Sequence, residues 1–338
     1  MKHFVVVGVL VTIGTALMIL VLTSLNILPA QASTQATVVD KLLGLQVYVI
    51  AFLFALIVAL MLYSVVVFRR KRGDESDGKY ITHNNKLELV WTLIPLVVVI
   101  FFATLGSIDL NRITRAEANE LVVDVTAMQF AWTFGYPDLG ITSNELVLPA
   151  DRSVLFNITS KDVIHSFWVP EFRLKQDAVP GRPTTLRITT TAIGEFMVRC
   201  AEMCGYSHSY MQAPVRVLSQ ADFQAWVEQQ TGAAGTPSPG GDAAAAGKTL
   251  AASQGCVGCH SSDGSVAVAP TWKGLYGHET TLTDGSTVTA DEAYLRESIV
   301  DPSAKIVKGF SDIMPKTYGT LPEEDINALI EYMKSLAE

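Results

Sequence analysis

Cys200-Ala201-Glu202-Met203-Cys204-Gly205-Tyr206-Ser207-His208-Ser209-Tyr210-Met211 gathers two thiols, an imidazole and a thioether into twelve residues, and His165 stands 35 residues before the first cysteine. Soft sulfur combined with imidazole selects copper or zinc over hard cations. A mononuclear blue-copper site needs only one cysteine. Two cysteines four apart can both bridge a pair of copper ions, with one histidine capping each ion. The spacing also permits a structural Cys2His2 zinc site. Met211 weighs against zinc, because a thioether is a poor zinc ligand and a natural copper one.

Around this stretch the chain alternates with period two. Leu121, Val123 and Val125 oppose Val122, Asp124 and Thr126, and residues 155–159, 186–189 and 196–199 repeat the pattern with Gly and Pro between them. Several short strands at this spacing predict a β-sandwich or barrel over residues 117–230.

The pattern C-x-E-x-C-x3-H-x2-M, with its upstream histidine, resembles the binuclear CuA site of subunit II of haem–copper cytochrome c oxidases. Ile164-His165-Ser166-Phe167 and Leu174-Lys175-Gln176-Asp177-Ala178-Val179-Pro180-Gly181-Arg182 match the same family, and the resemblance covers residues 42–218. It implies a cupredoxin-like β-sandwich whose copper ligands are His165, Cys200, Cys204, His208, Met211 and the backbone carbonyl of Glu202. It also implies that the Glu202 carboxylate helps bind magnesium at the contact with subunit I. Glu88-Leu89-Val90-Trp91-Thr92-Leu93-Ile94-Pro95 resembles the family's E-x-x-W-T-x-x-P signature, in which the glutamate lies near the mouth of a proton-uptake pathway. Where the family commonly begins an aromatic cluster with Trp, this chain has Phe130 in Gln129-Phe130-Ala131-Trp132. Phe130 and Trp132 are electron-path candidates, and the departure is compatible with a built-in donor.

That donor has its own signature. Cys256-Val257-Gly258-Cys259-His260 is a C-x-x-C-H attachment sequence for c-type haem. The thiols form thioethers and His260 ligates the iron. For the sixth position Met314, His278 and Met333 are available. Met314, followed by Pro315, resembles the small cytochrome c pattern, and a Met ligand raises the haem potential. Pro270 resembles the residue whose carbonyl accepts a hydrogen bond from the axial histidine. Ile326, Leu329, Ile330, Met333 and Leu336 share one face of a closing helix, so residues 247–338 read as a small all-α cytochrome c domain. A Gly-, Ala-, Ser- and Pro-rich stretch, 231–246, reads as a flexible linker before it.

The rest is membrane. No charge interrupts Phe4–Leu28, Leu42–Phe68 or Leu89–Ile108, and about 20 apolar residues span a bilayer. Residues 42–68 and 87–110 are predicted transmembrane helices. Residues 1–32 fit either a first helix or a signal peptide ending at Ala30-Gln31-Ala32. Arg69-Arg70-Lys71-Arg72 sets the intervening loop in the cytoplasm, so everything after about residue 110 is expected on the outer face. The four cysteines form two tight pairs, leaving none for a disulfide framework. A net charge of −8 over 338 residues opposes a nucleic-acid partner.

The expectation is a multi-pass membrane subunit that receives electrons from an external donor (a cytochrome c, a cupredoxin or a quinol-oxidising complex). It passes them through haem c and CuA to subunit I, where oxygen is reduced to water. The chain itself holds no catalytic oxygen site. Two rival readings are the second subunit of a CuA-type nitric oxide reductase and a membrane-tethered electron carrier. Glu88 and Glu202 favour the oxidase over the first, and the Trp91–Pro95 signature argues against the second.

Overall fold

Helix formation in the first third follows from uninterrupted apolar sequence. In the computed structural model, which describes all residues except 26, 79, 233–241, 266–267 and 338, three long helices come first: α1 (Lys2–Ser24), α2 (Thr34–Val67) and α3 (Asn85–Thr114). All three are long and apolar enough to cross a membrane. α2 begins eight residues before the predicted span and α3 ends four after it, and a polar side chain caps the start of each helix. Ser33 caps α2 by accepting from Ala36 N at 3.0 Å. Asn84 caps α3 by accepting from Leu87 N at 3.2 Å, while Glu88 reaches back to accept from Asn84 N at 3.1 Å. This reciprocal arrangement satisfies orphan donors at the helix start. Helix α1 packs on α2, with Gly14 against Ala55 and His3 Nδ1 2.7 Å from the Tyr63 hydroxyl. Residues 1–115 form one compact unit.

Residues 116–338 form the other. The period-two stretches become two five-stranded sheets. One has the order β3 (Ile141–Ser143), β2 (Ala131–Tyr136), β1 (Leu121–Met128), β5 (Ser153–Ser160), β8 (Thr184–Thr189). The other runs β4 (Leu146–Pro149), β10 (Gln212–Leu218), β9 (Gly194–Cys200), β6 (His165–Trp168), β7 (Lys175–Ala178). Along β1 the alternate residues Leu121, Val123, Val125 and Ala127 are buried, and Phe156, Ile158, Phe167 and Val215 meet them in the core. β1 pairs in parallel with β5, and β10 in parallel with β4. Tyr136 ties one sheet to the other: its hydroxyl donates to Val147 O at 2.9 Å and accepts from Val147 N at 2.8 Å. Helix α4 (Gln220–Gly232), within residues expected to be strand or linker, closes one end by packing Trp226 edge-to-face against Tyr136.

The linker expected over 231–246 is shorter than its composition implies. α4 runs to Gly232 and α5 (Asp242–Ser253) starts within the Ala-rich segment; the intervening 233–241 lie outside the described residues. Alanine is the best helix former, so Asp242-Ala243-Ala244-Ala245-Ala246 folds once a partner helix is present. That partner is α7 (Glu323–Ser335), whose acidic first turn follows Pro322. An added Cβ at Gly247 would fall 1.9 Å from Ala328 O, so glycine permits the close crossing. Ile326, Leu329, Ile330 and Met333 are buried as predicted. Helix α6 (Glu292–Val300) and a two-stranded hairpin, β11 (Glu279–Thr281) with β12 (Thr287–Thr289), complete the domain. The hairpin adds a β element to the predicted helices.

Candidate metal centre and haem cleft

Backbone pairing brings the distant sulfur and nitrogen donors together. Cys200 is the last residue of β9 and His165 the first of β6, its neighbour in the sheet. Cys200 N donates to Met211 O at 3.1 Å and Ala201 N to Ser166 O at 2.9 Å, which closes the 201–211 loop over the strand ends. Cys200 Sγ lies 3.8 Å from Cys204 Sγ, 3.9 Å from His165 Nδ1 and 3.2 Å from Glu202 O. Cys204 Sγ lies 3.5 Å from His208 Nδ1 and 3.7 Å from Met211 Sδ, and Met211 Sδ is 3.1 Å from His165 Nδ1. His165, Cys200 and Cys204 are the group among the described residues whose ligand atoms all lie within 4.8 Å of one another. His208 stands outside that radius, on the Cys204 side.

Six donors, two of them the central thiols, exceed what four-coordinate zinc uses, and their soft sulfur and imidazole chemistry fits a pair of copper ions. His165 and Met211 are wholly buried, and Cys204 nearly so. Burial disfavours both thiolates. Hydrogen bonds from His165 and the backbone overcome it at Cys200, whose thiol is pulled well below the ordinary range. At Cys204, burial and the neighbouring Cys200 push the thiol up. His165 Nε2 donates to Asp162 Oδ1 at 2.8 Å, leaving Nδ1 for a metal. Sequence reading passed over Asp162, although a carboxylate three residues before a ligand histidine is a recognisable orienting partner. The Glu202 carbonyl turns toward Cys200 while the residue itself is exposed.

The second site is a cleft. Cys256–Gly258 forms a tight turn, and His260 N donates to Cys256 O at 3.0 Å. His260 Nδ1 donates to Pro270 O at 2.7 Å, the partner predicted for it, and the ring stacks on Trp272 with centroids 5.0 Å apart. Burial lowers the His260 pKa, so the imidazole is neutral, as an iron ligand must be. Burial also pushes the Cys256 thiol up to about 12. These groups open onto a cleft of about 140 Å³, walled by Leu295, Ile299, Phe310 and Leu329. An apolar space with two thiols and a neutral histidine on one wall fits a covalently held haem. Met314 and Met333 both line it, whereas His278 does not; Met333 is also packed in the α7 core.

The predicted electron-path residues lie by the two sites. Trp132 is buried edge-on to His165, 6.2 Å between centroids. Phe130 lines the haem cleft together with Gln129. Glu88 lies far from either site in sequence, in the other unit, engaged in the cap of α3.

Three family profiles match: the transmembrane domain of cytochrome c oxidase subunit II over residues 20–110, the periplasmic domain of the same subunit over 133–218, and cytochrome c over 244–337. Cytochrome c oxidase subunit 2 of Thermostichus vulcanus is 36% identical over 265 residues, 63% of this chain and 81% of the relative. The subunit 2 of Alkalihalophilus pseudofirmus is 31% identical over 300 residues, 86% of this chain and 85% of the relative. That of Bacillus sp. strain PS3 is 33% identical over 294 residues, 80% of each chain. A membrane-anchored subunit of an oxidoreductase complex, with a cupredoxin-like domain and a C-terminal cytochrome c domain, is therefore what this sequence encodes, and the chain belongs to the cytochrome c oxidase subunit II family.

Proposed function

We propose that the chain is the electron-input subunit of a haem–copper terminal oxidase, accepting electrons from an external donor at its cytochrome domain and delivering them through the cupredoxin domain to subunit I. The observation that carries this reading is the juxtaposition, in one compact unit, of a six-donor sulfur–nitrogen pocket and a C-x-x-C-H cleft. His165, Cys200, Cys204, His208, Met211 and the Glu202 carbonyl would hold the copper pair. Cys256, Cys259, His260 and Met314 would hold the haem. Bound there, the two groups would each take up and release one electron at a time, the chemistry needed where electrons come in.

The protein's own part is to keep these donors still. The Asp162 carboxylate orients His165, the Pro270 carbonyl orients His260, and the loop's bonds to β6 and β9 hold the sulfurs in place. Ligands fixed in this way move little between redox states, so little reorganisation opposes transfer. The basic Arg69–Arg72 loop between α2 and α3 supports an extracytoplasmic position for both domains. We read the cupredoxin domain over 117–230 and the cytochrome domain over 247–338, a reading supported by the strands of the first and the helices of the second. The exposed Glu202 carboxylate is available for magnesium at the contact with subunit I, and Glu88 for proton uptake.

Electron paramagnetic resonance with metal analysis on the purified chain tests the reading. Two coppers per chain sharing one unpaired electron are expected, with one covalent haem. A single copper, or stoichiometric zinc, would refute it.

A further inference from the structure

Ile313-Met314-Pro315 lines the haem cleft on a segment that is anchored at both ends. Upstream, Lys308 N donates to Thr281 O at 2.9 Å, Thr283 N donates to Ile306 O at 2.9 Å, and Leu282 bridges Val307. Residues 306–308 thereby extend the β11–β12 hairpin. Downstream, the tight turn Lys316–Thr320 carries Tyr318. Its hydroxyl donates to Gln254 O at 2.8 Å. Gln254 follows the end of α5 and stands two residues before Cys256. Gly319, beside Tyr318, packs against the end of α6, where an added Cβ would fall 2.7 Å from Val300 O.

The Tyr318 bond therefore joins two stretches 64 residues apart. One leads into the attachment cysteines and His260, the other leads out of Met314, and Tyr318 lines the cleft together with all four. Neither covalent attachment nor axial ligation requires a hydroxyl at position 318. A carbonyl oxygen accepts, so the phenol must be the donor, and phenylalanine could not replace it in this contact.

The two axial positions differ in how the chain supplies them. His260 adjoins Cys259, so covalent attachment delivers the imidazole with it. Met314 comes from a distant segment, and its thioether is a neutral, weak donor that any small nitrogen ligand can challenge. Holding that segment in place raises the effective concentration of the thioether where it is needed, because the ordering cost is met in advance.

We propose that Tyr318 is the positioning residue for the sixth haem ligand: its hydroxyl latches the Met314 segment to the residues ahead of Cys256, which presents the thioether and keeps other ligands off the iron. The inference rests on the haem and Met314 reading above.

Imidazole, titrated into the ferric full-length chain and followed by haem absorbance, displaces the thioether and reads how firmly it is presented. Tyr318→Phe removes the donor and keeps the ring. One neutral hydrogen bond corresponds to about a tenfold change in an equilibrium, so imidazole should bind about tenfold more tightly to this variant. Without imidazole, its covalent haem content and its thioether-to-iron absorption should be those of the parent. Met314→Ala supplies the control, because a latch with no thioether to present has nothing to do. Adding Tyr318→Phe to Met314→Ala should leave the imidazole affinity unchanged. Gly319→Ala displaces the same turn from Val300 and should act in the same direction as Tyr318→Phe, so it decides the matter if Tyr318→Phe fails to acquire haem. Imidazole affinity within about twofold of the parent, or an equal gain with and without Met314, overturns the latch. A thioether signal that survives Met314→Ala would instead move the ligand to Met333, and a parent chain without covalent haem would overturn the cofactor assignment.

Discussion

The loop between Cys200 and Met211 and the cleft beside Cys256 prepare for their cofactors in opposite ways. At the loop, donor atoms already lie within 3.1–3.9 Å of one another, and hydrogen bonds to Asp162 and Ser166 O, with the β9–β10 pairing, hold them. The two sheets beneath bury Val125, Phe156, Ile158 and Val215 between them. At the cleft, His260 and its Pro270 partner are set, and the walls before them are core residues of α6 and α7. The difference teaches that one group would be received by strand ends and a loop, whereas the other would pack against the core residues of its domain.

The largest expected effect breaks or upholds that contrast directly. Cys256→Ser combined with Cys259→Ser prevents covalent haem attachment and strips the cleft walls of their contacts. The cost should be about 5 kcal/mol or more, comparable to the whole stability of a small domain. Limited proteolysis with mass spectrometry should find cuts throughout 247–338 while 117–230 stays intact. A cytochrome region as resistant as in the parent would show that its core closes without haem.

A smaller effect is expected on the copper side. Chelating the copper removes a ligand that binds only the folded state, a loss of about 3–4 kcal/mol for binding a hundred- to a thousandfold above Kd. Calorimetry should show the cupredoxin transition moved to lower temperature yet still cooperative. Loss of the transition would mean that the loop is not preassembled.

The smallest change sharpens the account of why the sandwich stands alone. Tyr136→Phe leaves Val147 N and O without partners between the sheets, at a cost of about 1–3 kcal/mol. Burial raises the Tyr136 pKa. Its stabilisation is therefore complete below the unfolded value of about 10 and is lost as pH rises beyond it. Denaturant titrations against pH should show an alkaline decline that the variant lacks. An equal decline in both proteins would assign it to another group.

Much of this molecule is legible from local pattern. Apolar runs announce the spanning helices, period-two alternation announces β1, β5, β8 and β9, and C-x-x-C-H and C-x3-C-x3-H-x2-M state their chemistry in a few adjacent residues. Such signals survive in one dimension because helix, strand and chelate geometry depend on near neighbours. The Ala-rich segment misled for the same reason: its composition reads as linker, and only contact with α7 makes α5 a helix.

Tertiary structure decided the rest. Asp162 became the partner of His165, and Tyr136 the clamp between the sheets. Gly255 and Gly258, separated from Met128–Ala131 by more than a hundred residues, became the surface on which that turn rests. A glycine in sequence shows only the absence of a side chain. What occupies the space where the side chain would be depends on how two separately folded domains pack, and no local periodicity records that.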